Sequence, residues 1–245
     1  MPFTDIDQLE LPDPCRAQVY EHGWQSWSPT GCYGAQTTSA RPSHGWQQTM
    51  RFRPGVPAPD RGFQAEGLLA VCPGEGLGVR LYTARDPRSV VPSIRARLQG
   101  STLTVSADGL VDVTASAGGL NQALQDYGEQ LAEAMSVRLR EAPSVWCSWY
   151  QHFLDVGEED IVENLGAIVN HDLPVDVVQV DDGWEAGVGD WLELSDRFSD
   201  LERLAARIRG SGRRAGIWLA PFIAGANSTL AKQHPGWLVG DAGWN

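Results

Sequence analysis

The second half of the chain alternates short apolar runs with helical patterns, and this alternation limits the possible folds more than any other feature. The segments SVWCSWY, VDVVQVDD and RAGIWLAP are typical of strands, and EEDIVENLGAIVN and DLERLAARIR are typical of amphipathic helices between them. The apolar faces comprise Ile161, Leu165, Ile168 and Val169 in the first helix, and Leu201, Leu204, Ala205 and Ile208 in the second. Strands joined through helices run parallel, so the pattern predicts a parallel α/β sheet.

The strands of this sheet are continuous apolar runs, which predicts that both of their faces are covered. Three such units fit either an open doubly wound sheet or the start of a (β/α)8 barrel. No glycine-rich phosphate loop follows a strand, which removes the main reason to prefer a nucleotide-binding fold. Polar and aromatic residues gather where the strands end, the face that carries active sites in barrels; they are Trp149, Tyr150, Asp181, Asp182, Trp218 and Pro221.

The first half of the chain has a different hydrophobic pattern, which shows no helical periodicity up to about residue 118. Its strand-like segments QQTMRF, GLLAVC, LGVRLYT, SIRARL and LTVSA are separated by stretches that contain Gly, Pro and Asp. From residue 120, apolar side chains recur at helical spacing: Leu120, Leu124, Tyr127, Leu131 and Met135. We therefore predict an all-β domain at 1–118, a connecting helix at 119–142 and an α/β domain at 143–245.

The charge balance excludes several classes of partner. The net charge is −12 and Lys and Arg form no cluster, so nucleic acid and anionic membranes would be repelled. The N-terminus lacks a basic region followed by an apolar one, and no stretch is long enough to cross a bilayer, so we expect a cytoplasmic protein. Four widely spaced cysteines predict reduced thiols; they are Cys15, Cys32, Cys72 and Cys147.

Asp181 and Asp182 end an apolar strand, and adjacent carboxylates in this place allow several interpretations. They could bind a hard cation, but no third carboxylate falls at a comparable strand end, so we predict no metal site. They could also belong to a turn, because Asp-Asp-Gly is a common turn sequence. The neighbouring Glu185 and Asp190 are expected to be solvent-exposed loop charges. Four of the histidines have no partner at nucleophile or metal spacing and are expected to be structural: His44, His152, His171 and His234.

Ten tryptophans repeatedly stand beside Gly or Ser in polar stretches such as GWQSW, CSWY and DDGW. Core packing does not require this pattern, although large side chains also fill gaps under loops. The tryptophans together therefore suggest a binding surface that presents flat apolar ring faces.

Three segments in order resemble the first three β/α units of the glycoside hydrolase family 36 α-galactosidases, or melibiases. They are WCSWYQHFLD, VVQVDDGWEAGVGDWLELSDRFSDL and GRRAGIWLAPFIAGANSTLAKQHPGWL, and together they cover about residues 143 to 240. YEHGWQSWSPTG resembles the aromatic motif of the β-sandwich domain that precedes the barrel in this family. The resemblance implies an N-terminal β-sandwich followed by the first three β/α units of a TIM (β/α)8 barrel.

The resemblance also implies a function: release of terminal α-linked galactose from oligosaccharides by a retaining glycosidase that needs no cofactor. It implies that Asp181 and Asp182 hold sugar hydroxyls, which suits carboxylate oxygens because these only accept hydrogen bonds. Trp149 and Trp218 would flank the pocket. Trp24 or Trp27 is expected to reach over the barrel mouth, the alternative being a plug at a domain interface.

Both catalytic aspartates of this family come from later strands, so we expect the 245 residues to be an N-terminal part without either, inactive alone. Three β/α units expose a parallel edge, which predicts association with a second chain or with the remainder. The alternatives are an α-N-acetylgalactosaminidase, a galactosyl-transferring relative, or a non-catalytic carbohydrate-binding remnant.

Overall fold

A computed structural model describes residues 2–26, 28–44, 51–138 and 140–239. The chain forms two compact units, Met1–Arg138 and Leu139–Asn245. Within the part that is described, no helix is both long and apolar enough to span a membrane. The four cysteines are free thiols.

The first unit contains two antiparallel sheets. In chain order its strands are β1 (Thr4–Glu10), β2 (Gln18–Glu21), β3 (Gly31–Gly34), β4 (Phe63–Glu66), β5 (Leu68–Cys72), β6 (Val79–Ala84), β7 (Ser93–Gln99), β8 (Thr102–Ala107) and β9 (Val111–Ser116). The four-stranded sheet has the order β1-β8-β7-β4, and the five-stranded sheet has the order β3-β2-β5-β6-β9. Sequential strands such as β7 and β8 pair as hairpins. Strand β1 instead pairs with β8, from which it is separated by most of the sequence of the unit.

The two sheets of the first unit bury their facing side chains in one hydrophobic core. Strand β8 shows the pattern expected when one face is buried, because its residues alternate between half-buried and buried. Side chains from both sheets meet in this core, among them Phe63 and Ile94 from the four-stranded sheet and Leu69 and Tyr82 from the five-stranded sheet. The phenol of Tyr82 reaches the end of this core and donates a hydrogen bond to Asp7 (2.8 Å).

Helix α1 (Leu120–Ala134) packs against the other face of the five-stranded sheet. Its buried Ala123 lies in a cluster with side chains of β5 and β6, and Leu120, Leu124 and Tyr127 pack against that cluster. The predicted apolar face is therefore the packing face. Met135 differs, because it lies one residue beyond the helix, at the C-cap, and is 42% exposed.

The second unit contains the predicted parallel sheet. Its strands β10 (Val145–Cys147), β11 (Val177–Val180) and β12 (Arg214–Ile217) pair in the order β10-β11-β12. The helices are α2 (Trp149–His152), α3 (Glu158–Asn170), α4 (Leu201–Gly210) and α5 (Thr229–Gln233), with 3-10 turns at Phe153–Asp155 and Pro235–Trp237. The strand–helix alternation read from the sequence is thus confirmed.

The two longer helices of this unit cover one face of the sheet. Ile161, Leu165 and Ile168 of α3 are buried in the same cluster as Leu204 and Ile208 of α4. Val178 and Val180 of β11 are buried there too, whereas Val177 and Gln179 are only half-buried. The expectation that both faces of the strands are covered therefore does not hold within the described residues.

Two details of the sequence reading were wrong. Val169, assigned to the apolar face of α3, is 46% exposed, because it lies at the margin of the stripe that Ile161, Leu165 and Ile168 define. The strand expected over SVWCSWY ends at Cys147, and the chain turns into helix α2 at Trp149. The strand expected at QQTMRF begins in residues 45–50, which lie outside the described residues.

We expect Leu165→Ala to lower the free energy of unfolding of the second unit by about 2 to 5 kcal/mol, because it removes a buried leucine side chain from a packed core. Val169→Ala on the same helix should change it by less than about 0.5 kcal/mol. Urea unfolding followed by tryptophan fluorescence would measure both. Equal costs for the two variants would contradict this packing of α3.

Candidate functional site

The carboxyl ends of the three parallel strands meet at one edge of the sheet and bring together most of the predicted site residues. Ser148 follows β10, Asp181 follows β11 and Trp218 follows β12. The Asp181 amide donates to Ser148 Oγ (2.9 Å), and the Trp218 amide donates to the Val180 carbonyl (2.9 Å). The segments that carry Trp149, Asp181, Asp182 and Trp218 are thus fastened to one another at this edge.

The Asp181 carboxylate is held by donors of the protein. One oxygen, Oδ2, accepts from Gln179 Nε2 (2.7 Å) and from the thiol of Cys147 (3.2 Å), and Oδ1 accepts from the Asp182 amide (3.0 Å). Burial, together with the hydrogen bond to Asp181, raises the pKa of Cys147, which keeps the thiol protonated as a donor. Asp181 is only 8% exposed. Its orientation is therefore fixed before any ligand arrives.

Gln179 and Cys147 had no role in the sequence analysis. A strand places residues two apart on the same face, so Gln179 points the same way as Asp181, and Cys147 is the partner of Gln179 in the pairing of β10 with β11. The alternation within VVQVDD was the signal that could have identified Gln179. Nothing in the sequence shows the pairing register, so Cys147 could not have been identified.

Asp182 is half-buried, and its carboxyl group lies close enough to that of Glu185, three residues later in the same turn, for the two groups to interact. The expectation that Glu185 is a solvent-exposed charge was wrong, because the side chain is only 5% exposed. Glu185 forms an antiparallel bridge with Leu194, which folds the loop after β11 back on itself. Burial, and after it the contact with Asp182, raises the pKa of Glu185 to about 7.

Asp190 is also not a free loop charge. Its two oxygens accept from the backbone amides of Thr229 (2.8 Å) and Leu230 (3.0 Å) at the start of α5. Ser228, the N-cap residue, accepts from the Ala231 amide (3.0 Å). These amides have no partner within the helix, so Asp190 ties the loop after β11 to the segment after β12.

Tryptophans pack in a row beside the acidic turn. Trp184 is buried and its indole N–H donates to the carbonyl oxygen of Trp218 (3.0 Å). The ring of Trp191 lies between them, with centroids 6.1 Å from Trp184 and 5.9 Å from Trp218. Trp149 contacts Phe153 edge to face at 5.3 Å. Because Trp149 and Trp218 are only half-buried, both retain accessible ring surface.

The turn that carries the two aspartates is fixed by Gly183 and Arg197. Gly183 has φ of +110°, and a Cβ atom there would lie 2.6 Å from the carbonyl oxygen of Leu154. The guanidinium of Arg197 donates to the carbonyl oxygens of Leu154 (2.5 Å), Val156 (3.0 Å) and Gly183 (3.2 Å). Arg197 stood in no recognisable pattern, so the sequence did not reveal it.

The remaining predicted site residues lie elsewhere or outside the described residues. Trp24 belongs to the first unit, is half-buried, and donates its backbone N–H to the Arg51 carbonyl (3.1 Å). Trp27 lies outside the described residues, so the roles expected for Trp24 or Trp27 stay predictions. Among the residues that the structure describes, no group of three His, Cys, Asp or Glu side chains could hold a metal ion.

Comparison with known proteins identifies a family match that covers nearly all of the second unit and the end of the first. The Melibiase family model matches residues 108–244, more than half of the chain. The α-galactosidase AgaA of Geobacillus stearothermophilus is 31% identical over 132 residues, which are 49% of this chain and 18% of that protein. The A type blood α-D-galactosamine galactosaminidase of Flavonifractor plautii is 33% identical over 106 residues, 40% of this chain and 9% of that protein.

Among solved structures, the chain is similar to an α-galactosidase of Thermus thermophilus in complex with p-nitrophenyl α-D-galactopyranoside. The TM-score is 0.71 at 28% identity, over 96% of this chain and 46% of that chain. The same enzyme has been solved in complex with stachyose. The chain thus spans less than half the length of this relative and a smaller share of the two curated relatives.

We expect Gly183→Ala to destabilise the second unit by about 2 kcal/mol or more, because the backbone conformation and the Leu154 carbonyl both exclude a Cβ atom. Gly187→Ala in the same loop has open space and should change the free energy of unfolding by less than about 1 kcal/mol. Urea unfolding measures both variants. A Gly183→Ala variant as stable as Gly187→Ala would contradict the close approach.

Proposed function

Because the chain belongs to the melibiase family, we propose that its second unit is the sugar-binding part of a galactosidase-type glycoside hydrolase that releases terminal α-linked galactose from oligosaccharides. The observation that carries the proposal is the acidic turn after β11. There Asp181 and Asp182 lie between segments that present partly exposed tryptophans, Trp149 and Trp218. A pyranose offers hydroxyl donors along one edge and C–H groups on one face, and this arrangement has acceptors for the first and indole surface for the second.

The two aspartates would have different tasks. The oxygens of Asp181 already accept from Gln179, Cys147 and the Asp182 amide, so this residue is rigid and offers only its remaining lone pairs. Asp182 is more exposed than Asp181 and its oxygens have fewer donors from the protein, so we assign it the main contact with the sugar hydroxyls. A charged acceptor in a partly desolvated site forms stronger hydrogen bonds than a neutral one.

For the fold, we propose that the two antiparallel sheets form the β-sandwich domain that precedes the barrel in this family, at 1–118, followed by a connecting segment at 119–142 in which only α1 (Leu120–Ala134) is helical among the described residues. We further propose that residues 143–245 form the first three β/α units of a TIM (β/α)8 barrel. Two observations support this reading: the sheets of the first unit share one core, and the three strands of the second unit are parallel. The half-buried face with Gln179 and Cys147 would then point into the barrel.

The acidic residues of the turn do not suit the chemistry of a retaining glycosidase. That reaction uses two carboxyl groups about 5 to 5.5 Å apart on either side of the scissile bond. Asp182 and Glu185 are instead in direct contact, and Asp181 follows the same strand. We therefore propose that these residues hold the sugar, that the nucleophile and the acid/base belong to segments outside the 245 residues, and that the chain alone does not cleave.

A second candidate is an α-N-acetylgalactosaminidase; the Flavonifractor plautii relative, a galactosamine galactosaminidase by name, supports only that a similar sequence acts on a galactose-type sugar with nitrogen at the 2-position. The two candidates differ in the group at the 2-position of the sugar. Competition between galactose and N-acetylgalactosamine for the chain would distinguish them, since a galactose site disfavours the bulkier N-acetyl group. A galactosyl-transferring relative or a non-catalytic carbohydrate-binding protein would share the same binding preference.

We expect Asp182→Ala to weaken galactose binding at least tenfold, because about 1.5 to 3 kcal/mol is lost with a charged hydrogen-bond acceptor. Asp196→Ala, an exposed aspartate in the same loop, serves as the control and should bind like the unaltered chain. Isothermal titration calorimetry with galactose measures the dissociation constants of both variants and of the unaltered chain. A change of less than about threefold for Asp182→Ala would contradict the assigned contact.

We also expect the 245-residue chain to show no hydrolysis of p-nitrophenyl α-galactoside above that of a mock purification. The physical reason is that residues at a single strand end lie on one side of the sugar and cannot supply both catalytic groups. Release of p-nitrophenol is the readout. Hydrolysis that Asp181→Asn abolishes would contradict both the holding role and the assignment of catalysis to other segments.

A further inference from the structure

Glu185 is a buried acid without a cationic partner in the described part of the chain. Two other buried acids are paired with arginines, Glu21 with Arg51 (2.9 Å) and Asp108 with Arg53, whereas Asp181 and Glu66 accept hydrogen bonds from neutral side chains. No ion pair among the described residues includes Glu185, and its Oε2 atom meets no hydrogen-bond donor there although the side chain is only 5% exposed. Backbone hydrogen bonds from Gly183 and Glu185 to the carboxyl group favour its charged form, but burial outweighs them, so a carboxylate here would still carry a desolvation cost.

The neighbouring carboxyl group of Asp182 allows Glu185 to be buried without a cation. The two carboxyl groups interact within one turn, Glu185 is buried, and its Oε2 atom has no donor, so the pair is accommodated best when one of the two carries a proton and donates a hydrogen bond to the other. Glu185 is the more buried of the pair, so the neutral form is favoured there and the charge is favoured on Asp182. The orphaned Oε2 of a carboxylate is thereby explained as an atom of a neutral acid.

The charged groups around the turn do not supply an alternative partner. The guanidinium of Arg197 is engaged with three backbone carbonyls, and the imidazole of His152 faces Asp160 (3.7 Å) on α3. Asp181 is bound by donors from β10 and β11, and Asp190 accepts from backbone amides at the start of α5. Glu193, on the returning part of the loop, is exposed. Each of these neighbouring charged groups thus has another partner or is exposed, and none of them is paired with Glu185.

We propose that Glu185 is a positioning residue of the sugar site, whose protonated carboxyl donates a hydrogen bond to Asp182 and holds that carboxylate in the orientation that accepts a sugar hydroxyl. This inference rests on the proposed function and adds a residue to it. One lone-pair region of Asp182 is used by Glu185, and the remaining oxygen is free for the ligand. Glu185 itself touches no ligand in this arrangement.

Ionisation of Glu185 would place two negative charges side by side in a poorly solvated turn, and their repulsion would displace Asp182 from that orientation. Because burial and Asp182 raise the pKa of Glu185 to about 7, this change occurs near neutral pH. The protonated form binds the sugar and the ionised form binds it less well. By linkage, bound sugar must in turn raise the pKa of Glu185 further.

The first test needs no ligand. Glutamate labelled with ¹³C at the side-chain carboxyl is incorporated into the full 245-residue chain, and the Glu185 resonance is assigned by its loss in Glu185→Gln. We expect a titration midpoint near pH 7, and a midpoint that falls by at least one pH unit in Asp182→Asn, since that variant removes the neighbouring charge. A Glu185 midpoint below pH 5 would overturn the inference.

The second test measures the dissociation constant for galactose at pH 5.5 and at pH 8.5. We expect the unaltered chain to bind at least fivefold more weakly at pH 8.5. Glu185→Gln should bind at both values as the unaltered chain does at pH 5.5, because the amide donates the same hydrogen bond and cannot ionise. Glu185→Ala, which lacks the donor, should bind weakly at both values. Glu193→Gln is the control and should keep the pH dependence of the unaltered chain.

The outcomes separate this inference from the proposed function. Binding of galactose with a pH dependence that persists in Glu185→Gln would overturn the role of Glu185 and leave the proposed function intact. A titration midpoint of Glu185 near pH 7 combined with no galactose binding at either pH would overturn the proposed function. The assignment of Glu185 to a sugar site would then fail as well. Circular dichroism at pH 5.5 identifies variants that fail to fold, and for those the titration in the unaltered chain and in Asp182→Asn decides.

Discussion

Three carbonyl oxygens converge on one guanidinium, and the geometry of the acidic turn depends on this contact. Arg197 binds the carbonyls of Leu154 and Val156 from the segment after β10 and that of Gly183 from the segment after β11. The close approach of Gly183 to Leu154 is possible only without a side chain. Two strand ends that would otherwise continue into independent loops are joined, and Asp181 and Asp182 are placed beside the segment that begins with Trp149.

Within this frame, the three acids of the turn are accommodated in three different ways. Asp181 is buried as a hydrogen-bond acceptor, with Gln179 and Cys147 as donors from two strands. Glu185 is buried without a cationic partner among the described residues, and burial raises its pKa to about 7, which favours the neutral acid that we propose. Asp182 is the most accessible of the three, and we propose that it is the acid available to a ligand. Burial and hydrogen-bond donors thus give three residues of one chemical type different environments.

The sequence predicted the fold of the second unit well, because buried positions recur with the periods of helices and strands. It placed the parallel strands β10, β11 and β12 and both longer helices. Local sequence carries no information about long-range contacts, so the contacts of Arg197 with Leu154 and Val156 could not be predicted, and the burial of Glu185 depends on how the loop after β11 folds back at Leu194. The strands of the first unit were harder to predict from the sequence, because β1 and β9 are polar. In addition, β1 pairs with β8 and β9 pairs with β6, and both pairings join distant parts of the chain.

We propose that Asp182 is the principal acceptor for the sugar hydroxyls at the end of β11. A crystal structure of the 245-residue chain with galactose tests this role most directly. We expect at least one galactose hydroxyl oxygen within about 2.6 to 3.2 Å of an Asp182 carboxylate oxygen, with the other carboxylate oxygen facing Glu185. Galactose bound elsewhere, or bound at this edge of the sheet without contact to Asp182, would contradict it.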